Sequence, residues 1–312
     1  MLRLDKKNIP SGSQEIRLFS GVRNEILRLP YWLDHHRRLG VDRFFVADND
    51  SGDGTREALL EEPDVHVFHT AGSFHESDSG RRWISHLMEE YAVGRWCVVA
   101  DADELLAPPL WEDTDLHRVA GFLDSEGSEA LPCYLLDMYS SLPIRDTEIP
   151  PRSNPFDLCP YFDPDFEARD GNFVYGDQKH TISTVSGSTR TKVFGVRAYL
   201  SKIGMLKYRP GMVLTSGQHA ILGAREAEIR GVMFHFKFLA DFVEKTAMEL
   251  DRDERKTYAH EWTAYEEALR ENPDLSLFDD RSVRVRDSRQ LLELGIMKTT
   301  PAYEAAVRVE SV

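Results

Sequence analysis

An α/β fold with a mostly parallel central sheet flanked by helices is predicted by three observations. Short apolar runs of strand length alternate with stretches of helical periodicity between residues 16 and 108. The run Trp96 to Ala100 is apolar throughout, as a strand covered on both faces must be. Polar segments follow three of these runs, at the strand ends where open α/β sheets hold their ligands.

Ile16 to Val22 reads as the first strand. Asn24 to Leu39 carries Ile26, Leu29, Trp32, Leu33 and Leu39 close to helical spacing, with Pro30 as a break and Gly40 as the stop. Arg43 to Ala47 is a strand, Asp48 to Thr55 a polar turn, Thr55 to Leu60 a helix and Val65 to Phe68 a strand. Glu76 to Tyr91 is a helix, with Trp83, Ile84, Leu87, Met88 and Tyr91 on one stripe. Alternation in this order predicts crossover helices. The middle is less regular. Glu148 to Gly176 holds five of the 15 prolines and is expected to be a long ordered loop. Strands are expected at Lys192 to Leu200 and Val232 to Phe238, and charged helices beyond Leu239, with a break near Asn272-Pro273.

The chain has 312 residues and a formal charge of −15, from 53 acidic and 38 basic side chains. That excludes a general nucleic-acid binder, whose footprint is basic, and leaves local phosphate sites open. Gln178 to Ala224 contains no Asp or Glu but holds Lys179, Arg190, Lys192, Arg197, Lys202, Lys207 and Arg209. Three cysteines without metal-ligand spacing point to a reducing compartment. No run of 18 apolar residues and no apolar leader occur, so a cytoplasmic protein is expected, with peripheral contact at the inner membrane face left open.

Asp101-Ala102-Asp103 places two carboxylates where both can lean toward one hard cation such as Mn²⁺ or Mg²⁺. The plainer alternative is a solvated pair of acids in a turn. In the Asp48 to Thr55 turn, Asp and Asn can accept from a base or ribose, and Asp53 can cap the following helix.

The chain resembles inverting, family-2-type glycosyltransferases with the glycosyltransferase A fold. The resemblance rests on Val22-Arg23-Asn24-Glu25, on Asp48-Asn49-Asp50-Ser51-Gly52-Asp53-Gly54-Thr55, and on Ser79-Gly80-Arg81-Arg82-Trp83. It continues through Trp96 to Glu104, in the branch that carries D-x-D-E. It covers residues 16–108 well, is loose from 130 to 239 and is absent beyond. It implies a nucleoside diphosphate sugar donor, a UDP-sugar first, and a carbohydrate or lipid-linked acceptor. Arg23, Asn24, Glu25, Asp48, Asn49 and Asp53 would hold base and ribose, with Arg81 or Arg82 near the diphosphate. Asp101 and Asp103 would hold Mn²⁺ or Mg²⁺, completed by His235 or, as runner-up, His219. Lys237, two residues from His235 along a strand, would face the same diphosphate. Asp137, at a strand end, is the candidate general base, because no Glu-Asp pair lies between residues 170 and 225. Tyr161, Phe162, Phe173 and Tyr175 are candidates to stack on an acceptor sugar. The expected organisation is a catalytic domain over 1–239, divided into a nucleotide-sugar half (1–130) and an acceptor half (131–239), then a helical extension over 240–312. The alternatives are a nucleotidyltransferase acting on sugar phosphates and a non-catalytic nucleotide- or glycan-binding module.

Overall fold

In the computed structural model, residues 1–307 are described apart from 13, 151, 176 and 252–258. The strands are β1 (Leu2–Arg3), β2 (Arg17–Val22), β3 (Arg43–Asp48), β4 (Val65–His69), β5 (Trp96–Val99), β6 (Glu104–Ala107), β7 (Ala130–Asp137), β8 (Tyr161–Phe162), β9 (Phe166–Tyr175), β10 (Gln178–Gly187), β11 (Ser201–Lys207), β12 (Val213–Leu214), β13 (Ile221–Leu222), β14 (Gly231–His235) and β15 (Val283–Arg284). The helices are α1 (Leu29–Leu39), α2 (Thr55–Glu61), α3 (Arg81–Tyr91), α4 (Leu116–Ser125), α5 (Pro155–Leu158), α6 (Ser188–Phe194), α7 (Asp241–Asp251), α8 (Ala259–Glu271), α9 (Ser288–Glu293) and α10 (Pro301–Val307).

Nine strands form one sheet in the order β1-β4-β3-β2-β5-β11-β7-β14-β6. Strands β2, β3, β4, β5, β7 and β14 share one direction, whereas β1, β11 and β6 oppose it. The sheet is therefore mixed α/β and mostly parallel, with helices on both faces. Alternation along the strands divides the core. Leu18, Phe44, Val46, Val67 and Val98 pack toward α1, α2 and α4, while Phe19, Phe45, Cys97 and Val99 pack toward α3. A third cluster of Phe194, Phe238, Phe242, Trp262 and Tyr265 lies under α7 and α8.

Several expected boundaries move. Pro30 stands in the first turn of α1, where its missing N–H costs nothing, so the helix begins at Leu29 rather than Asn24 and is not kinked. The third helix begins at Arg81, after the left-handed Gly80. Residues 148–176 are not one long loop. They contain α5 and β8, and β9 pairs with β10 in an antiparallel hairpin of ten residues per strand. The stretch expected as a strand at Lys192 to Leu200 belongs partly to α6, which ends at the left-handed Gly195; the strand begins at Ser201. Its short Val-Phe-Gly-Val run carries no period that separates strand from helix. Among the described residues, no helix is long and apolar enough to cross a membrane.

Candidate functional site

Sheet register builds the centre of the site. His235, the last residue of β14, is the parallel partner of Asp137 at the end of β7 and the antiparallel partner of Glu104 at the start of β6. Side chains paired across neighbouring strands share a face, so the three groups meet on one side of the sheet. His235 Nδ1 lies 2.6 Å from Asp137 Oδ1, and Nε2 lies 3.1 Å from Asp103 Oδ2. Burial disfavours the imidazolium, but the two carboxylates outweigh it and push His235 up to about 9. Burial likewise works against the Asp103 carboxylate, yet His235, Arg28 and Lys245 hold it well below the usual range.

Asp137 is 1% exposed and takes a bidentate grip from Arg190, with Nε–Oδ2 at 2.8 Å and Nη2–Oδ1 at 2.9 Å. Arg190 reaches on to Glu261 Oε1 at 3.1 Å. Tyr265 donates to the same oxygen of Glu261, and Lys237 Nζ stands 3.5 Å from it, over the Trp262 and Tyr265 rings. Burial raises Glu261, but Lys237 and Arg190 prevail and bring it down to about 2. On the other side, Lys202 Nζ contacts Glu104 Oε1 at 2.7 Å and Asp101 Oδ2 at 3.5 Å. Burial works against that ammonium, and the acids outweigh it and keep it charged.

Of these groups, Asp101, Asp103, Glu104, Arg190, Lys202, His235, Lys237, Glu261 and Trp262 line a cleft of ≈ 560 Å³. Its first wall is the segment after β2, stitched to the turn after β3. Asn24, at φ 54°, accepts from Gly52 N–H through Oδ1 and donates its own N–H to Ser51 Oγ. Glu25 N–H donates to Thr55 Oγ1, and Asp53 accepts from the amides of Ile26 and Thr55. The adjoining wall is α7. Arg28 binds Asp241 through two bonds of 2.6 and 2.8 Å, and Lys245 reaches Glu25 at 2.7 Å. Six basic side chains line the cleft: Arg23, Arg28, Arg190, Lys202, Lys237 and Lys245.

The sequence-predicted residues divide. Arg23, Asn24, Glu25, Asn49, Asp53, Asp101, Asp103, His219, His235 and Lys237 all line the cleft. Asp48 does not. It is fully buried beneath Arg56, whose Nε lies 3.0 Å from its carboxylate. Arg81 and Arg82 are not among the lining residues, and Arg81 pairs with Asp78 at 2.6 Å. Asp137 is also absent from the lining, since Arg190 and His235 cover it. Of the aromatics, Phe162 is fully buried and none of the four lines the cleft. Of the seven basic residues in the acid-free segment, only Arg190 and Lys202 reach the cleft. Lys192, Arg197, Lys207 and Arg209 pair with acids elsewhere. Sequence reasoning did not single out Arg28, Asp241, Glu244, Lys245, Glu261 or Trp262; all but Arg28 lie beyond residue 239, where periodicity reports only helices.

Among the described residues, Asp103, Glu104 and His235 are the group whose ligand atoms lie within 4.8 Å of one another. Carboxylate oxygen suits Mn²⁺ or Mg²⁺, whereas imidazole nitrogen suits transition metals, so the mixed pair favours Mn²⁺ over Mg²⁺; the Nδ1 contact to Asp137 is the outer partner that metal-binding histidines use. Glu104 has both oxygens engaged, by Lys202 and by Asp101 N–H. The donor set that fits is therefore Asp103 and His235. His219 stands outside the group. Its Nδ1 lies 2.8 Å from Ser201 O, and burial, then Lys202, push it down to about 3. Asp101 is likewise outside the group and 46% exposed at its side chain.

No protein-family model and no curated protein sequence matches the chain. Solved structures give partial overlaps. A 4-diphosphocytidyl-2C-methyl-D-erythritol synthase is 16% identical, with 42% of this chain and 64% of that one covered at a TM-score of 0.28. A UDP-glucose pyrophosphorylase from Acinetobacter baumannii is 9% identical over 49% of this chain and 65% of its own, at 0.23. A UTP-bound UGPase from the same organism is 10% identical over 94% and 92%, at 0.28. The chain thus spans a little under two thirds of the first two structures. Overlaps this loose leave the fold resting on its own strand order and the site on its own side chains.

Proposed function

We propose that the protein is a divalent-cation-dependent glycosyltransferase acting on a nucleoside diphosphate sugar, with a carbohydrate or lipid-linked acceptor. The observation that carries this reading is the meeting of Asp103 and His235 in a cleft whose lining also holds six basic side chains among its carboxylates. The base and ribose would lie along Arg23, Asn24, Glu25, Asn49 and Asp53, with Asp101 beside them. The diphosphate would meet Lys202, Lys237 and Arg190, which stabilise the negative charge that develops on the leaving group. Asp103 and His235 would hold Mn²⁺ or Mg²⁺, which supplies Lewis-acid stabilisation of that charge when bound. Asp137 holds and orients His235 rather than abstracting a proton, because its carboxylate is enclosed. On this reading residues 1–271 form one working unit, since α7 and α8 supply walls of the cleft.

Sugar-phosphate nucleotidyl transfer is the second reading. Six cations suit a triphosphate as well as a diphosphate, and the solved structures named above bear names of that class, at overlaps too small to weigh. Against it, the segment after β2 has no glycine-rich phosphate loop. Thermal-shift titration with UDP, GDP and dTDP, with and without Mn²⁺, tests both readings, because binding to the folded state raises its stability by mass action. A Mn²⁺-dependent shift is expected and should vanish with EDTA. Release of pyrophosphate from a nucleoside triphosphate and a sugar phosphate would select the second reading. No shift with any nucleotide would remove both.

A further inference from the structure

Transfer to a hydroxyl needs a base in the cleft, and the enclosed Asp137 cannot reach an acceptor. Eight carboxylates line the cleft. Asp103 is held by His235, and Glu104 by Lys202 and an amide. Asp101 stands against Lys202, while Asp53 is occupied by the amides of Ile26 and Thr55. Glu25 is paired with Lys245 and Arg28, and Asp241 is gripped by Arg28. Glu261 is shared by Arg190, Tyr265 and Lys237. Glu244 remains. Among the described residues it has no ion-pair or hydrogen-bond partner, and it is exposed on the cleft side of α7.

Helix geometry explains its aim. Asp241, Glu244, Lys245 and Met248 follow the i, i+3, i+4, i+7 spacing of one helix face, and all four line the cleft. Asp241 and Lys245 are bound to the segment after β2, which fixes the rotation of α7 and holds Glu244 on that face. A cation or amide at a carboxylate oxygen stabilises the ionised form and takes up part of its accepting capacity. Glu244 carries no such partner among the described residues.

We propose that Glu244 is the general base of the reaction, an inference that rests on the glycosyl-transfer reading. Its carboxylate takes the proton of the acceptor hydroxyl as the oxygen forms a bond to the anomeric carbon. The anomeric carbon–oxygen bond to the diphosphate breaks, and its electron pair leaves on the nucleoside diphosphate. The acceptor therefore enters over the exposed face of α7 that carries Glu244, past the exposed apolar side chains of Ile26 and Met248.

The test compares wild type, Glu244→Gln and Glu244→Asp with the donor that the nucleotide panel selects. Each is assayed with an alcohol acceptor and with its thiol counterpart, which ionises without help. For Glu244→Gln, kcat with the alcohol should fall roughly 10²–10⁴-fold, the usual span for a lost general base. Transfer to the thiol, the affinity for the nucleoside diphosphate with Mn²⁺, and the melting temperature should change little. Glu244→Asp should recover part of the loss. An alcohol kcat within about threefold of wild type, or equal losses with alcohol and thiol, would overturn the inference while leaving donor binding intact. A wild type that binds no nucleoside diphosphate would overturn this inference together with the reading beneath it.

Discussion

The Arg190 guanidinium and the Asp137 carboxylate form a two-bond fork, at 2.8 and 2.9 Å, behind the imidazole of His235. Both side chains are almost fully buried, so neither charge has water as an alternative partner. The fork fixes the carboxylate, the carboxylate fixes the ring, and the ring presents Nε2 to Asp103. Asp137→Asn keeps the shape but removes the anionic partner of Nδ1. Calorimetric titration should show Mn²⁺ binding weakened roughly 10–100-fold, as for other outer partners of metal-binding histidines. Unchanged Mn²⁺ affinity would show that Asp137 does not act through His235. Arg190→Met should cost stability instead, roughly 3 kcal/mol in urea unfolding, because it strands a buried carboxylate.

Arg28 ties three segments together. It is 8% exposed and bonds Asp241 on α7, Glu25 after β2, and the carbonyl of Phe236 after β14. Arg28→Ala should destabilise the protein by about 3 kcal/mol, the low end for a broken buried pair because Asp241 is partly wet. Nucleotide affinity should fall as well, since α7 loses its anchor. A variant with wild-type urea midpoint and nucleotide affinity would show that Lys245 alone secures the helix.

His35 and His36 give the fold an acid limit. Burial pushes His35 down to about 4, and burial together with its neighbour holds His36 well below the ordinary value. His36 Nδ1 lies 2.9 Å from the Trp32 carbonyl, and Leu106 N–H donates to its Nε2 at 3.4 Å, so the neutral ring satisfies both contacts. Below about pH 6.5 the unfolded chain binds these protons and the folded chain does not. The stability that depends on these two rings should therefore be full above pH 6.5 and fall as the pH drops toward about 4. Urea midpoints at pH 7.0, 6.0 and 5.0 check the slope. A flat profile, or one unaltered in His35→Gln, would refute it.

Gly204 lies at an irregularity in β11, between Ile203 and Met205. A Cβ there would come within 2.6 Å of Leu106 and 2.7 Å of Cys133. Both neighbours are buried side chains with little room to yield. Gly204→Ala should lower stability by roughly 1–3 kcal/mol through overpacking. A thermal midpoint equal to wild type would mean that the two strands can separate freely.

What the sequence disclosed follows from where burial is uniform. β2, β3 and β5 are covered on both faces, so their apolar runs announce them, and the strand-end acids Asp101 and Asp103 stand out against those runs. The β9–β10 hairpin escaped notice because polar and exposed residues fill much of both strands, including Glu167, Asp170, Lys179 and Thr181. Asp48 and Asn49 read alike in the sequence, yet Arg56 closes over one while the other reaches the cleft. His235 could be found because its strand is short and apolar. Its partner Arg190 could not be assigned, since only α6 and β7 packing decides which of seven basic residues turns inward.

Glu261, near the start of α8, closes the charged network that begins at Asp103. As the chain is synthesised, β2 to β14 can pair and bury their apolar faces before α8 exists. At that stage Arg190 and Lys237 lack one of their counter-charges, and the cleft lacks its last wall. A nascent chain that ends before α8 therefore carries an unfinished cleft, and its charge balances only once Glu261 is in place.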